Sequence, residues 1–269
     1  MAFLGALLAV LLLVGAAVAV WVLLPAFRGP DAARRDLGTH RLAIGAVVTV
    51  LVLNAAITLP FASSLRSERE LTSRTFALAT AATQIPMLLV VYLRLIRPGA
   101  LTWRDLGLRT VPLEYALRMG FGAGAVGLIG TQVVGNVLSR FGLQPNQVEQ
   151  FQFVRTEGVL SFVLLLVAAG VLAPCIEELF FRGFLFGTYR LRYPVAIAYL
   201  GSGLLFTALH LEPTRMNLAQ MAGLSVGIFL LAMMLAWLYE HTGSLYPSIL
   251  AHAVNNATGL LLFYALEVR

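Results

Sequence analysis

Three small groups of polar residues interrupt an otherwise apolar chain, and their types suit hydrolysis. The first lies in Ala173-Pro174-Cys175-Ile176-Glu177-Glu178-Leu179-Phe180-Phe181-Arg182-Gly183, the second is His210 with Phe206 before it, and the third is His252 with Asn255 and Asn256. On a helix, side chains four apart share a face, so Glu178 is set to pair with Arg182. Glu177 lies about 100° around the same helix and points elsewhere. A carboxylate held by its cation beside one without a partner suggests a division of labour, the second being free for base chemistry. His252 and Asn256 also share a face, and Asn255 can replace Asn256 as the inward amide. A base for water plus donors where negative charge develops make up a hydrolytic site. Each group also has a plain structural reading, as a buried ion pair, a satisfied core histidine, or a His–Asn contact between helices.

Depth is what joins the three groups. The long apolar runs predict about eight spanning helices: Phe3 to Phe27, Leu42 to Phe61, Phe76 to Ile96, Leu113 to Leu138, Gly158 to Tyr189, Val195 to His210, Leu218 to Tyr239 and Leu245 to Leu266. At ~1.5 Å per residue, Glu177 sits ~20 Å from the Arg190 end of its helix. His210 sits ~24 Å from the Pro194 end of the next, with Asn256 ~17 Å and His252 ~10 Å from Leu245. Those ends share one side if the spans alternate, so acid, imidazole and amide can converge inside the membrane. Ionisable groups at that depth are costly and mark function by default. The fifth run is long for one crossing, and Pro174 is expected to kink it.

Composition agrees with the membrane reading. Of the 269 residues, 59% are hydrophobic and 12% charged, and mean hydropathy is +0.85. Soluble domains carry about 25% charged residues. Inside lipid each backbone polar group needs an internal partner, so apolar runs of this length are helices. The expected fold class is all-α, a polytopic bundle of about eight transmembrane helices. Residues 1–139 form an accessory N-terminal half and residues 158–266 the catalytic core.

The net charge of +6 is carried by arginine alone. These arginines are scattered between apolar runs, as at an anionic membrane surface, and do not form the clustered basic face that nucleic-acid binding needs. Arg28, Arg34, Arg35, Arg41, Arg94, Arg97, Arg104, Arg109, Arg118, Arg190 and Arg192 are expected in cytoplasmic loops, against Arg66, Arg69, Arg74, Arg140, Arg155, Arg215 and Arg269 on the outer side. The absence of lysine points to a GC-rich bacterial genome and hence a bacterial inner membrane.

Other polar residues read as structural. His40 and His241 are expected to be solvated in loops, Glu212 with Arg215 to form a rim pair, and Asn54 and Gln84 to be single polar groups in early helices. The lone cysteine, Cys175, is expected to be a small buried thiol. The glycines of the fourth span (Gly120, Gly124 and Gly127 among them) favour close helix packing over a substrate groove. The connection from Arg140 to Glu157, with Gln144, Pro145, Asn146 and Gln147, is expected to hold a short surface helix.

The three groups resemble the signature of the CAAX-protease and bacteriocin-processing family, also called CPBP or Abi. Its blocks Glu-Glu-x-x-x-Arg, Phe-x-x-x-His and His-x-x-x-Asn correspond to Glu177-Glu178 with Arg182, Phe206 with His210, and His252 with Asn256. Asp105-Leu106-Gly107-Leu108-Arg109 also looks like a segment often found upstream. The resemblance implies an intramembrane endopeptidase related to the type II CAAX prenyl endopeptidase, acting on a peptide or protein in or near the bilayer. It implies that Glu177 and His210 activate water, that His252 and Asn256 stabilise the oxyanion, and that Glu178, Arg182 and Phe206 orient the site. Family members are described both as metalloproteases and as metal-free; Glu177, His210 and His252 would be the zinc ligands. The contiguous His-Glu-x-x-His helix of common zinc proteases is absent. The alternatives are a silent membrane scaffold or bacteriocin-immunity protein, and a transporter. A transporter is expected to show paired broken helices, whereas one Pro-broken span is legible here.

Overall fold

The computed structural model describes residues 2–59, 72–143, 153–211 and 216–268. Within them the chain forms α1 (Ala2–Leu23), α2 (Pro30–Arg34), α3 (His40–Thr58), α4 (Ser73–Val91), α5 (Leu113–Ser139), α6 (Phe153–Glu157), α7 (Val159–Tyr189), α8 (Val195–Leu209), α9 (Leu218–Thr242) and α10 (Leu245–Phe263). Among the described residues there are no strands, and seven helices are long and apolar enough to cross a membrane; α8 is a shorter apolar helix. The protein is therefore a polytopic helical bundle embedded in a membrane. The span limits read from sequence agree with these helices to within a few residues. Arg66, Arg69, Gln144 to Gln147, Glu212, Arg215 and Arg269 lie outside the described residues.

Local chemistry sets the helix ends. Thr39, Thr72, Asn217 and Ser244 each accept a backbone N–H at the start of α3, α4, α9 and α10, satisfying donors that a helix cannot satisfy itself. Gly243 ends α9 with φ 62° and turns the chain directly into α10. That tight connection makes α9 and α10 antiparallel neighbours, and Ser248 Oγ in α10 donates to Leu235 O in α9 at 3.1 Å.

The two halves share one core. Val22, Leu42 and Val90 from the early helices pack in the same buried cluster as Phe180, Phe184, Phe206, Tyr239 and Leu245. On α5, a methyl group added at Gly120 or Gly124 would come within 2.8 Å of Leu250 or Val254 on α10. That face is packed, as small residues permit in lipid, and is not a groove. Exposed Val126, Ile129 and Val133 form the opposite, lipid-facing side of the same helix.

The expected kink at Pro174 takes the form of widened helix. Residues Ala168–Leu172 and Leu179–Phe186 of α7 are π-helical, flanking Ala173–Glu178. In a π register the partner of Ala169 O is the N–H of residue 174, which proline lacks. A second proline, Pro86, lies inside α4.

Two expectations about single residues need correction. Cys175 is exposed on the outside of α7 and is not buried. Arg94 is not in a loop: it is fully buried, donating to Asp36 Oδ1 at 2.5 Å and to Ala33 O at 2.7 Å. It thereby ties the end of α4 to the connection between α2 and α3. His40 is exposed as expected, though it is the first residue of α3, where its Nδ1 meets the Tyr189 hydroxyl at 3.2 Å and its ring stacks on Tyr193.

Candidate active site

The two glutamates end the regular segment Ala173–Glu178, just before the second π-helical stretch. Widened turns of this kind recur at functional sites. Gly183 lets the helix meet the connection between α4 and α5, since a methyl group there would lie 2.7 Å from Leu106 O. The same connection accepts Leu245 N–H at Gly107 O (2.8 Å) and Ser244 Oγ–H at Arg109 O (2.8 Å). One loop thus fixes α7 against the start of α10. Its own turn is held by Asp105, which accepts from the Thr102 backbone and hydroxyl at 2.8 and 2.7 Å; these bonds hold its carboxyl below the ordinary range.

Glu178 is fully buried. Its Oε1 accepts from Arg182 Nη1 at 2.8 Å and from His252 Nδ1 at 2.9 Å. Arg182, also buried, donates its Nη2 to Ala232 O at 3.1 Å, and its guanidinium lies 4.4 Å over the Phe206 ring. Phe206 also packs against His210 and His252, with ring centroids at 4.3 and 5.9 Å. Charge, ring and imidazole hold one another in place.

Glu177 occupies the other side of His252. Its Oε2 lies 3.7 Å from His210 Nε2 and 3.9 Å from His252 Nε2, beyond direct hydrogen-bond distance. Its Oε1 accepts from Gln84 Nε2 of α4 at 2.8 Å. Glu177 therefore does not lack a partner as the sequence suggested, because an early helix supplies one. His210, the residue at which α8 ends, donates Nδ1–H to Phe206 O at 2.8 Å, since a carbonyl can only accept. In the neutral ring that leaves Nε2 as an acceptor facing Glu177.

The structure thus brings Glu177, Glu178, Arg182, Phe206, His210 and His252 together from three helices. Asn256 spends one amide hydrogen on the backbone. Its Nδ2 donates to Ala169 O at 3.0 Å, the carbonyl that the π register and Pro174 leave without its helical donor. Asn255 meets Asn256 Oδ1 at 3.5 Å. Gln84 is the site residue that sequence reasoning passed over; a single amide in an apolar helix was its only signal.

The imidazole–carboxylate separations of 3.7 and 3.9 Å are slightly wider than those of a closed zinc site. Ligands of a tetrahedral zinc at about 2.1 Å lie roughly 3.4 Å apart, closer than either imidazole is to Glu177 Oε2. Among the described residues no set of three His, Cys, Asp or Glu is arranged to hold a metal ion.

Comparison with known proteins bears on this region. The family described as "Type II CAAX prenyl endopeptidase Rce1-like" matches residues 159–258, a stretch that contains all six clustered residues. No curated protein and no solved structure matches the chain.

Proposed function

From the premise that residues 159–258 belong to the type II CAAX prenyl endopeptidase family, we propose that the protein is an intramembrane endopeptidase using a water activated by Glu177 and His210. The family assignment makes the chain a membrane-embedded protease of CAAX type. The residue roles and the substrate are our reading. The observation that carries it is the pair of Nε2 atoms, from two different helices, facing one carboxylate oxygen at 3.7 and 3.9 Å. A water seated beside that triangle reaches Glu177 Oε2 and His210 Nε2 at ordinary hydrogen-bond lengths.

In this mechanism the water oxygen attacks the scissile carbonyl carbon while its proton passes to Glu177. The carbonyl becomes an oxyanion, which takes a hydrogen bond from His252 Nε2–H when that ring carries both protons. Glu178, at the opposite nitrogen, orients the ring, much as the carboxylate orients the histidine of a catalytic triad. The C–N bond then breaks, and the proton held at Glu177 or His210 goes to the departing amine. Asn256 keeps one amide N–H free after serving Ala169 O, and this donor is assigned to the substrate carbonyl. Residues 158–266 form the catalytic core, and residues 1–139 act as a supporting half that contributes Gln84.

The substrate class is a membrane-associated, lipid-modified peptide, and the lysine-free composition supports a bacterial inner membrane as the setting. The test is substrate trapping. Membranes holding the wild type or Glu177→Gln are compared by mass spectrometry of membrane peptides, with a farnesylated CAAX peptide as a defined reporter. Peptides that accumulate uncleaved with the variant support the reading. Equal cleavage by wild type, Glu177→Gln and His210→Ala rules it out. Metal analysis of the active, purified protein tests separately whether an ion takes part.

A further inference from the structure

The arginines at the far end of α1 are not used by the peptidase site. There the last turns of α1, the 3-10 turn Leu24–Phe27, α2 and the start of α3 enclose a cavity of about 270 Å³. Its lining is layered. Trp21 and Leu24 form an apolar part, while Arg28, Arg35 and Arg41 bring three guanidinium-bearing side chains to the same space. Among the described residues, the ion pairs are those of Arg94, Arg182, Arg190, His210 and His252, and none involves these three arginines. Asp36 is the one carboxylate in the lining, and buried Arg94 already holds it at 2.5 Å. The cavity therefore carries uncompensated positive charge.

Position selects the ligand. The cavity opens where the span Val10–Phe27 ends, at the depth of lipid headgroups. Trp21, half exposed with the Arg41 guanidinium 5.8 Å from its ring, and the exposed Phe27 flank it. Amphipathic aromatics favour that interfacial depth. The volume lies just below the range of about 300–1,000 Å³ typical of small-molecule sites, which suits a headgroup whose acyl chains stay in the bilayer.

We propose that this cavity binds the phosphodiester headgroup of an anionic phospholipid, held by Arg28, Arg35 and Arg41. Planar guanidinium groups match phosphate oxygens bidentately. A basic pocket between transmembrane helices is a recognised form of lipid-headgroup site. The inference is independent of the peptidase reading, since no residue is shared.

The test uses the full chain in nanodiscs of phosphatidylcholine with or without phosphatidylglycerol, released and read by native mass spectrometry. Wild type should retain phosphatidylglycerol in preference to phosphatidylcholine. Arg28→Gln and Arg35→Gln should each weaken retention about five-fold, and the triple variant with Arg41→Gln by about a hundred-fold. Arg104→Gln, an exposed arginine outside the cavity, should change nothing. The single variants keep the test informative if the triple variant fails to fold. Equal retention of phosphatidylcholine, or retention unchanged in the single variants, would overturn the proposal. Inorganic phosphate displacing the lipid at comparable concentration would assign the cavity to a soluble anion, and the lipid assignment would fall.

Discussion

Removing charge from the Glu178–Arg182–His252 unit should separate stability from catalysis. In Arg182→Met, Glu178 remains buried with only the His252 Nδ1 contact at 2.9 Å. Breaking a buried pair from one side costs about 3–5 kcal/mol, and little here offsets it. In Glu178→Leu the stranded guanidinium keeps Ala232 O at 3.1 Å and the Phe206 ring at 4.4 Å. A desolvated cation–π contact retains up to about 2 kcal/mol, so this variant should lose nearer 2–4 kcal/mol. The double variant buries no charge. It loses chiefly the acceptor at His252 Nδ1, about 1–3 kcal/mol, so it should be more stable than the sum of the singles by about 3 kcal/mol or more. Reversible unfolding by sodium dodecyl sulfate in mixed micelles measures all three. Activity should not recover with stability, because His252 has lost its orienting carboxylate, a role worth about 10²- to 10⁴-fold in rate. Additive single and double losses would show that the two charges are not coupled as the structure has them. A stable, fully active double variant would remove His252 orientation from the mechanism.

The remaining predictions concern single residues. Gln84→Leu withdraws a hydrogen bond to a carboxylate, worth about 1.5–3 kcal/mol, and should lower kcat about 10- to 100-fold with helix content unchanged by circular dichroism; unaltered kcat would make Gln84 a packing residue. Gly183→Ala forces Leu106 O away from a methyl group 2.7 Å off, and should cost about 1–3 kcal/mol in the same unfolding assay. Cys175→Ser should keep activity within about two-fold, because the thiol is exposed on the outside of α7 while Glu177 faces inward. Hydrolysis of the farnesylated reporter by the variant checks this, and a loss well beyond two-fold would tie Cys175 to the site.

The fold was legible because lipid leaves few solutions: apolar runs of this length must be helices, and their limits follow from Pro, Gly and capping residues. The clustering of Glu177, His210 and His252 was legible through helical depth, and the Glu178–Arg182 pair through its four-residue spacing. Gln84 was not, because its relevance depends on α4 lying against α7, a contact that no periodicity within α4 encodes. Arg94 misled for a similar reason. It stands beside a loop in sequence, yet its partner Asp36 lies on a different connection, and only tertiary packing joins them. The π-helical register was equally hidden, since Pro174 signals a break without specifying how the backbone repairs it.

One ring distinguishes the surroundings of the two adjacent glutamates. Neighbouring positions on a helix diverge by about 100°, so Glu177 and Glu178 cannot present their carboxylates to the same point. His252 lies between them, with Nδ1 on Glu178 at 2.9 Å and Nε2 toward Glu177 at 3.9 Å. On the Glu178 side a buried guanidinium matches the negative charge and closes the network. On the Glu177 side only neutral or titratable groups, Gln84 and two imidazoles, face the carboxylate, which leaves one oxygen without a fixed cation. A fixed cation there would hold the oxygen in a permanent ion pair, as Arg182 holds Glu178, and blunt it as a proton acceptor. On the proposed mechanism, the placement of Arg182 four residues after Glu178, and not after Glu177, is what leaves Glu177 as the carboxylate able to take a proton from water.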